Sequence, residues 1–251
     1  MRHVISAAFV VIGLLTVFDA TNAANSTVPE PFHRFDDTSK YTINYDDLTA
    51  VLKTVVVDVG RSTREKAAPS QAKTGTRMKA SIKRSTINEG NRFYFETFKD
   101  SEEGRQLLRG IQKSLEQLPG KVPLEYFSRD EQLAYWLNLY NVTILNEIIQ
   151  VYPKRKLKKM LVGKNSILAK KLLTVAGISL SLNDIQFTIL KQNYADNPLI
   201  MYGLYQGIIG GPNIRRKAYT GNDVYRALTK NAIEFTNSNR GTQSKDEKVF
   251  R

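Results

Sequence analysis

The stretch from Ser128 to Pro153 constrains the fold more than any other, because its apolar residues can be buried together only on one long helix. Ser128 with Glu131 forms a capping box. Leu133, Trp136, Leu137, Tyr140, Ile144 and Ile148 then recur at helical spacing, and Pro153 is the stop. Asn138 and Asn141 share one face of that helix beside the apolar stripe. They either hydrogen-bond a ligand or satisfy loop backbone groups that lack another partner, and the second role is the leading one.

The flanking pattern adds shorter helices and few strands. Leu48, Val51, Leu52, Val55, Val56 and Val59 predict an amphipathic helix over 45–58. Residues 92–98, rich in Phe and Tyr, form a strand or a helix. Leu107, Leu108, Ile111, Leu115 and Leu118 share a helical face, with Pro119 and Gly120 as the stop. Residues 178–182 read as a short strand, and 183–192 as a helix burying Ile185, Ile189 and Leu190. The apolar run 199–205 has the look of a strand buried on both faces. A tight loop through Gly207, Gly210, Gly211 and Pro212 follows, then a last helix capped by Thr220 or Asn222 that turns Val224, Leu228, Ala232 and Phe235 inward. The expected fold class is α+β, a single helix-rich domain with a small central sheet.

Composition excludes several chemistries. The 251 residues contain no cysteine and only two histidines, His3 and His33, so disulfides, Cys/His zinc sites and thiol nucleophiles are ruled out. Arg2 and His3, the apolar run from Val4 to Phe18, and the small residues Thr21 and Ala23 make a signal-peptide layout over 1–23. Cleavage before Ala24 leaves an extended lead-in over 24–44 and a domain over 45–251, with no transmembrane span and a periplasmic or secreted location. His33 is then the one remaining imidazole. The chain stops at Lys248-Val249-Phe250-Arg251, which reads as the beginning of a strand, so a truncated C-terminus is an expectation as well.

The net charge is +13, and it is clustered. Within the long Gly/Ser/Thr-rich loop 60–92, eight basic residues stand against one acid between Arg61 and Arg84. From Ile148 to Asn183 there is no acid, while Lys154, Arg155, Lys156, Lys158, Lys159, Lys164, Lys170 and Lys171 are all basic. Such patches suit an anionic polymer, lipid headgroups or an envelope protein, or they are simply solvated faces. No specific nucleic-acid module is recognisable.

The segments GRSTREKAAPSQAKTGTRMK (60–79), SRDEQLAYWLNLYNVTIL (128–145), GISLSLNDIQFTIL (177–190), PLIMYGLYQGIIGGPNI (198–214) and AYTG (218–221) resemble the bacterial domain of unknown function 547 family. That resemblance implies a Glu-His pair in the helix 183–190 and a Gly-Cys-Pro in the glycine loop, with the Asn residues of the main helix completing a thiol-hydrolase arrangement. Here the pair reads Gln186-Phe187 and the loop Gly210-Gly211-Pro212, so nucleophile and base are both replaced. Gln186, Phe187, Gly211, Asn138 and Asn141 therefore mark a degenerate family site.

No catalytic residue, metal ligand or cofactor follows from the remaining pattern. Asp46-Asp47, Glu102-Glu103 and Asp184 suit first turns of helices better than acid/base work. Gly207, Gly210, Asn213, Arg215 and Arg216 are the ligand-binding candidates, because glycines admit a ligand to backbone N–H groups and the arginines favour an anion. The expected function is a catalytically degenerate, exported binding or scaffolding protein. The alternative is a hydrolase of thiol-protease-like ancestry that uses other groups.

Overall fold

The computed structural model describes residues 28–60, 90–153, 157–163, 166–208, 210–245 and 248–250. The signal-peptide segment, the basic run 61–84 and Lys154, Arg155, Lys156 and Lys164 lie outside the described residues, as do the side chains of Lys158 and Lys159.

Helix α3 (Arg129–Val151) is the axis around which the other elements pack. Its two faces are both buried: Leu133, Tyr135, Trp136, Leu137, Leu139 and Ile144 are each 0% exposed. Phe32, from a short 3-10 turn at Glu30–Phe32, meets the Trp136 ring edge-on at 5.0 Å. Helix α1 (Asp46–Val55) presents Leu48, Leu52 and Val55 to the same core and runs into the two-residue strand β1 (Val56–Val57). β1 pairs antiparallel with β2 (Arg92–Phe93), and a 3-10 turn, Phe95–Phe98, follows. Residues 92–98 thus contain both a strand and a helical turn.

Helix α2 (Glu102–Lys121) starts at Ser101, whose hydroxyl accepts the Gly104 N–H at 3.0 Å. It does not stop at Pro119. A proline cannot donate to the carbonyl four residues back, which here is Leu115. The buried Tyr135 hydroxyl of α3 donates to the Leu115 carbonyl instead, at 3.0 Å. The helix therefore runs through the proline, and Leu107, expected on the core face, is 53% exposed.

Beyond α3 come α4 (Lys158–Leu161) and an antiparallel ribbon of β3 (Lys171–Val175) and β4 (Ile178–Ser181). A π-helical stretch, Asp184–Leu190, continues into α5 (Lys191–Asn193) and buries Ile185, Ile189 and Leu190 as the sequence indicates. The run 199–205 is not a strand. Pro198 and the Asn197 side chain, which accepts the Leu199 N–H at 2.9 Å, start a 3-10 helix over Pro198–Gly203. Gly203 is pressed so closely between Leu137 and Leu228 that a Cβ would sit 2.9 and 2.7 Å from their methyls, and Met201 points out, 55% exposed. Helix α6 (Val224–Thr236) follows Asp223, which holds the N-cap position in place of Thr220 or Asn222 without a side-chain capping bond and instead accepts the Thr220 hydroxyl at 3.1 Å. Strands β5 (Gln243–Lys245) and β6 (Lys248–Phe250) form the last ribbon.

The helix-rich α+β class holds, with one continuous hydrophobic core. The strands form three separate two-stranded antiparallel ribbons among the described residues, where one central sheet was expected. Too few apolar residues alternate with period two to build a wider sheet, and helices cover α3 in its place. Among the described residues no helix is long and apolar enough to cross a membrane.

Two substitutions separate the buried carbonyl contact from the exposed stripe. Tyr135→Phe strands the Leu115 carbonyl and should cost on the order of 1–3 kcal/mol in urea denaturation. Leu107→Ala should stay within about 0.5 kcal/mol of wild type. Equal losses would contradict the role assigned to Tyr135.

Candidate functional site

The loops around α3 are held by polar side chains of the helix itself. Asn138, 2% exposed, donates to the Tyr219 carbonyl at 2.8 Å and accepts the Tyr219 N–H at 2.9 Å. Asn141 treats the 203–205 turn in the same way, donating to the Gly203 carbonyl at 2.9 Å and accepting from the Tyr205 N–H at 2.8 Å. Both amides are thus spent on backbone groups. Glu131 accepts the Ile43 N–H on one carboxylate oxygen at 3.1 Å and the Gly221 N–H on the other at 3.0 Å. The Ser128 hydroxyl accepts the Glu131 N–H at 3.3 Å, but only this half of the expected capping box forms. Burial raises the Glu131 carboxyl above the usual carboxylate range, against the pull of those two N–H groups.

Two hollows open beside the turn that Asn141 fixes. The first, about 320 Å³, lies against Gly207, Gly211 and Asn213, with Arg92 and Arg240 in its lining and Phe93, Phe95 and Tyr205 as an aromatic wall. It contains no carboxylate, thiol or imidazole among its lining residues. The second, about 660 Å³, holds Asp58, Lys230, Asn231 and Glu234 and shares Asn91 and Asn213 with the first. The shared wall is a relay of amides. Asn213 accepts the Asn91 N–H at 2.8 Å, Asn91 donates to the Ile214 carbonyl at 3.1 Å, and Asn231 of α6 donates to the Asn213 carbonyl at 3.2 Å.

Arg240 is the deepest cation of the site, its side chain 5% exposed. It donates to the Gly211 carbonyl at 2.7 Å, pairs with Glu234 and lies 5.5 Å over the Phe235 ring. Its Nε has no partner among the described residues. Arg92, by contrast, forms no ion pair among the described residues.

The expected ligand-binding residues divide. Gly207 and Asn213 line the first hollow, whereas Gly210 is exposed beside it. Arg215 and Arg216 turn elsewhere. Arg215 lies 4.7 Å over the Tyr219 ring and 3.8 Å from Asp223, and Arg216 donates to the Lys53 carbonyl at the C-terminal end of α1, at 2.9 Å. The degenerate-site residues are also apart. Gly211 is in the first hollow, while Gln186 and Phe187, the latter 55% exposed, line a separate apolar hollow with Met201 and Leu204. Two of the helix-start acids, Glu102 and Asp184, have local partners. Glu102 pairs with Arg105 and Arg109, each at 2.8 Å, and Asp184 takes Lys171 and the Ser181 N–H and hydroxyl, each at 2.6 Å. Burial opposes ionisation of Asp184, yet Lys171 and Ser181 hold its carboxyl below the ordinary range. No group of three or more His, Cys, Asp or Glu with metal-holding geometry occurs among the described residues.

The glycines of this region differ in kind. Gly207 has a φ of +68° and a Cβ there would collide with Ile148, so glycine is obligatory. Gly90 gives way to Arg240; a Cβ would stand 2.6 Å from Asn213 Oδ1 and 2.8 Å from the Arg240 guanidinium carbon. Gly211 has no left-handed φ, and a Cβ would meet only Gln206, at 3.2 Å. Gly90→Ala should therefore cost about 1–3 kcal/mol, and Gly211→Ala less than about 1 kcal/mol, by thermal or urea unfolding. The reverse order would contradict the packing described for Arg240.

No curated protein and no solved structure matches the chain. A family model does, and its span runs from the turn before α3 to the end of α6; it includes Tyr205, Gly211 and Asn213 but neither Arg92 nor Arg240. Over residues 124–236 the chain resembles the family described as "Protein of unknown function, DUF547".

Proposed function

We propose that the protein is an exported binding or scaffolding module that captures anionic envelope material, with the first hollow as its recognition site. The observation that carries this reading is the lining of that hollow: two arginines, two amides and an aromatic wall, with no acid in the lining itself and with Arg240 alone balanced from behind by Glu234. A guanidinium offers paired donors to a carboxylate or phosphate group. The basic runs at 61–84 and 154–171 add a long-range attraction for the same class of ligand. The N-terminal layout over 1–23 supports export.

A hydrolase remains the second reading, because Asp58 and Glu234 line one hollow and paired carboxylates are a route to glycosidic cleavage. Glu234 is committed to Arg240, which favours a charged, binding role over proton donation.

The test is retention on heparin at rising salt. The full chain should be held at low salt and released as the ionic strength rises. Lys154, Arg155, Lys156, Lys158 and Lys159 changed together to Glu should elute earlier, and Arg92→Gln should lower the elution salt more than Lys99→Gln, a control at an exposed lysine outside the hollow. The N-terminus of protein recovered from the producing cell's envelope or medium should be Ala24. No retention at low salt, or retention indifferent to salt, contradicts the anion-binding reading; an intact Met1 contradicts export.

A further inference from the structure

The geometry points to a two-subsite glycan cleft: an acidic sugar sits in the first hollow, and the next, neutral sugar of the same chain sits in the second. This rests on the anion-binding reading of the first hollow and adds the chemical class of its ligand.

Three features of the paired hollows favour a glycan over an anionic headgroup. The cations of the first hollow face an aromatic wall, Phe93, Phe95 and Tyr205, with the Tyr205 side chain largely buried. A pyranose ring presents a C–H face that packs on such a wall while a carboxylate at its edge reaches the guanidinium. A bare phosphate has nothing to place there. Second, the cationic hollow does not stand alone. Asn91 and Asn213 line both hollows, which places the two side by side on either flank of one pair of amides. Third, the second hollow changes character. Asp58 and Glu234 accept hydrogen bonds, Lys230 donates them, and Asn231 can do either. That mixture suits sugar hydroxyls, which donate and accept, and it suits neither an acyl chain nor a second anion beside two carboxylates. At about 320 and 660 Å³ the hollows have the size of small-molecule subsites.

Within this arrangement Arg92 is the ligand's counter-ion, because it lines the hollow without an ion pair among the described residues. Arg240 is a positioning residue: paired with Glu234 and donating to the Gly211 carbonyl, it fixes the glycine loop. Asp58 sits at the far subsite, where its Oδ1 accepts the Gly60 N–H at 2.9 Å.

The test is isothermal titration of the full chain with a hyaluronan tetrasaccharide, whose glucuronate and N-acetylglucosamine units alternate. Saturable binding is expected, tighter than that of free glucuronate. Methyl-esterifying the carboxylates should weaken it at least tenfold, and Arg92→Gln should do the same, with circular dichroism unchanged. Asp58→Asn should shrink the advantage of the tetrasaccharide over glucuronate. Equal binding of the methyl ester overturns the carboxylate recognition. No binding of the tetrasaccharide while heparin retention persists overturns the glycan assignment and leaves the anion-binding reading standing. Capture by phosphatidylglycerol vesicles without tetrasaccharide binding assigns the site to a headgroup and overturns it too. Loss of every interaction removes both readings.

Discussion

The structure depends on the pairing of side-chain amides on α3, the buried Asn138 and the half-buried Asn141, with the backbone of loops that form no ladder. Asn138 completes both backbone hydrogen bonds of Tyr219, and Asn141 closes the turn between Gly203 and Tyr205. Each pairing satisfies a donor and an acceptor that would otherwise be stranded in a nearly dry interior, where an unpaired polar group costs on the order of 1–3 kcal/mol. Glu131 makes the corresponding tie to Ile43 and Gly221, and Tyr135 to the carbonyl that Pro119 leaves open in α2. With two-stranded ribbons alone among the described residues, the long helix supplies the hydrogen bonding that a sheet supplies elsewhere.

That arrangement also explains where the first hollow lies. The turn fixed by Asn141 delivers Tyr205 and then Gly207, whose left-handed backbone and contact with Ile148 turn the chain along the first hollow. The Asn91–Asn213–Asn231 relay carries the same principle outward, joining the β2 strand and α6 to the glycine loop. Arg240 enters because Gly90 has no side chain in its way. The first hollow thus joins residues inside the span that resembles the family, Tyr205, Gly207, Gly211 and Asn213, to Arg92 and Arg240 on either side of it.

Much of the scaffold was legible in the sequence, because periodicity is a local signal. The α3 stripe, the Ile178 strand and the inward residues of the π-helical stretch all follow from spacing alone. The 199–205 run misled, since an apolar run buried by helices on two sides has the same composition as a central strand, and only Asn197-Pro198 at its start hints at a helical turn. Pro119 misled for a different reason: its missing hydrogen bond is made good by a tyrosine in another helix. In the site, the glycine loop and Asn213 could be read directly. Arg92 and Arg240 could not, because they reach the hollow from segments remote in sequence from the glycine loop and no spacing relates them to it. Arg215 and Arg216 looked like the loop's cations through adjacency, yet an aromatic ring and the end of α1 claim them first.

The most direct measurement of the central claim is native-state amide hydrogen exchange followed by NMR. The Tyr219 and Tyr205 N–H groups lie in irregular segments, yet each donates to an asparagine of α3, the buried Asn138 and the half-buried Asn141. They should exchange as slowly as amides in the middle of α3, opening only with global unfolding, and Asn138→Ala should release Tyr219 selectively. Exchange of both at the rate of ordinary surface-loop amides would contradict the account of α3 as the support of the loops.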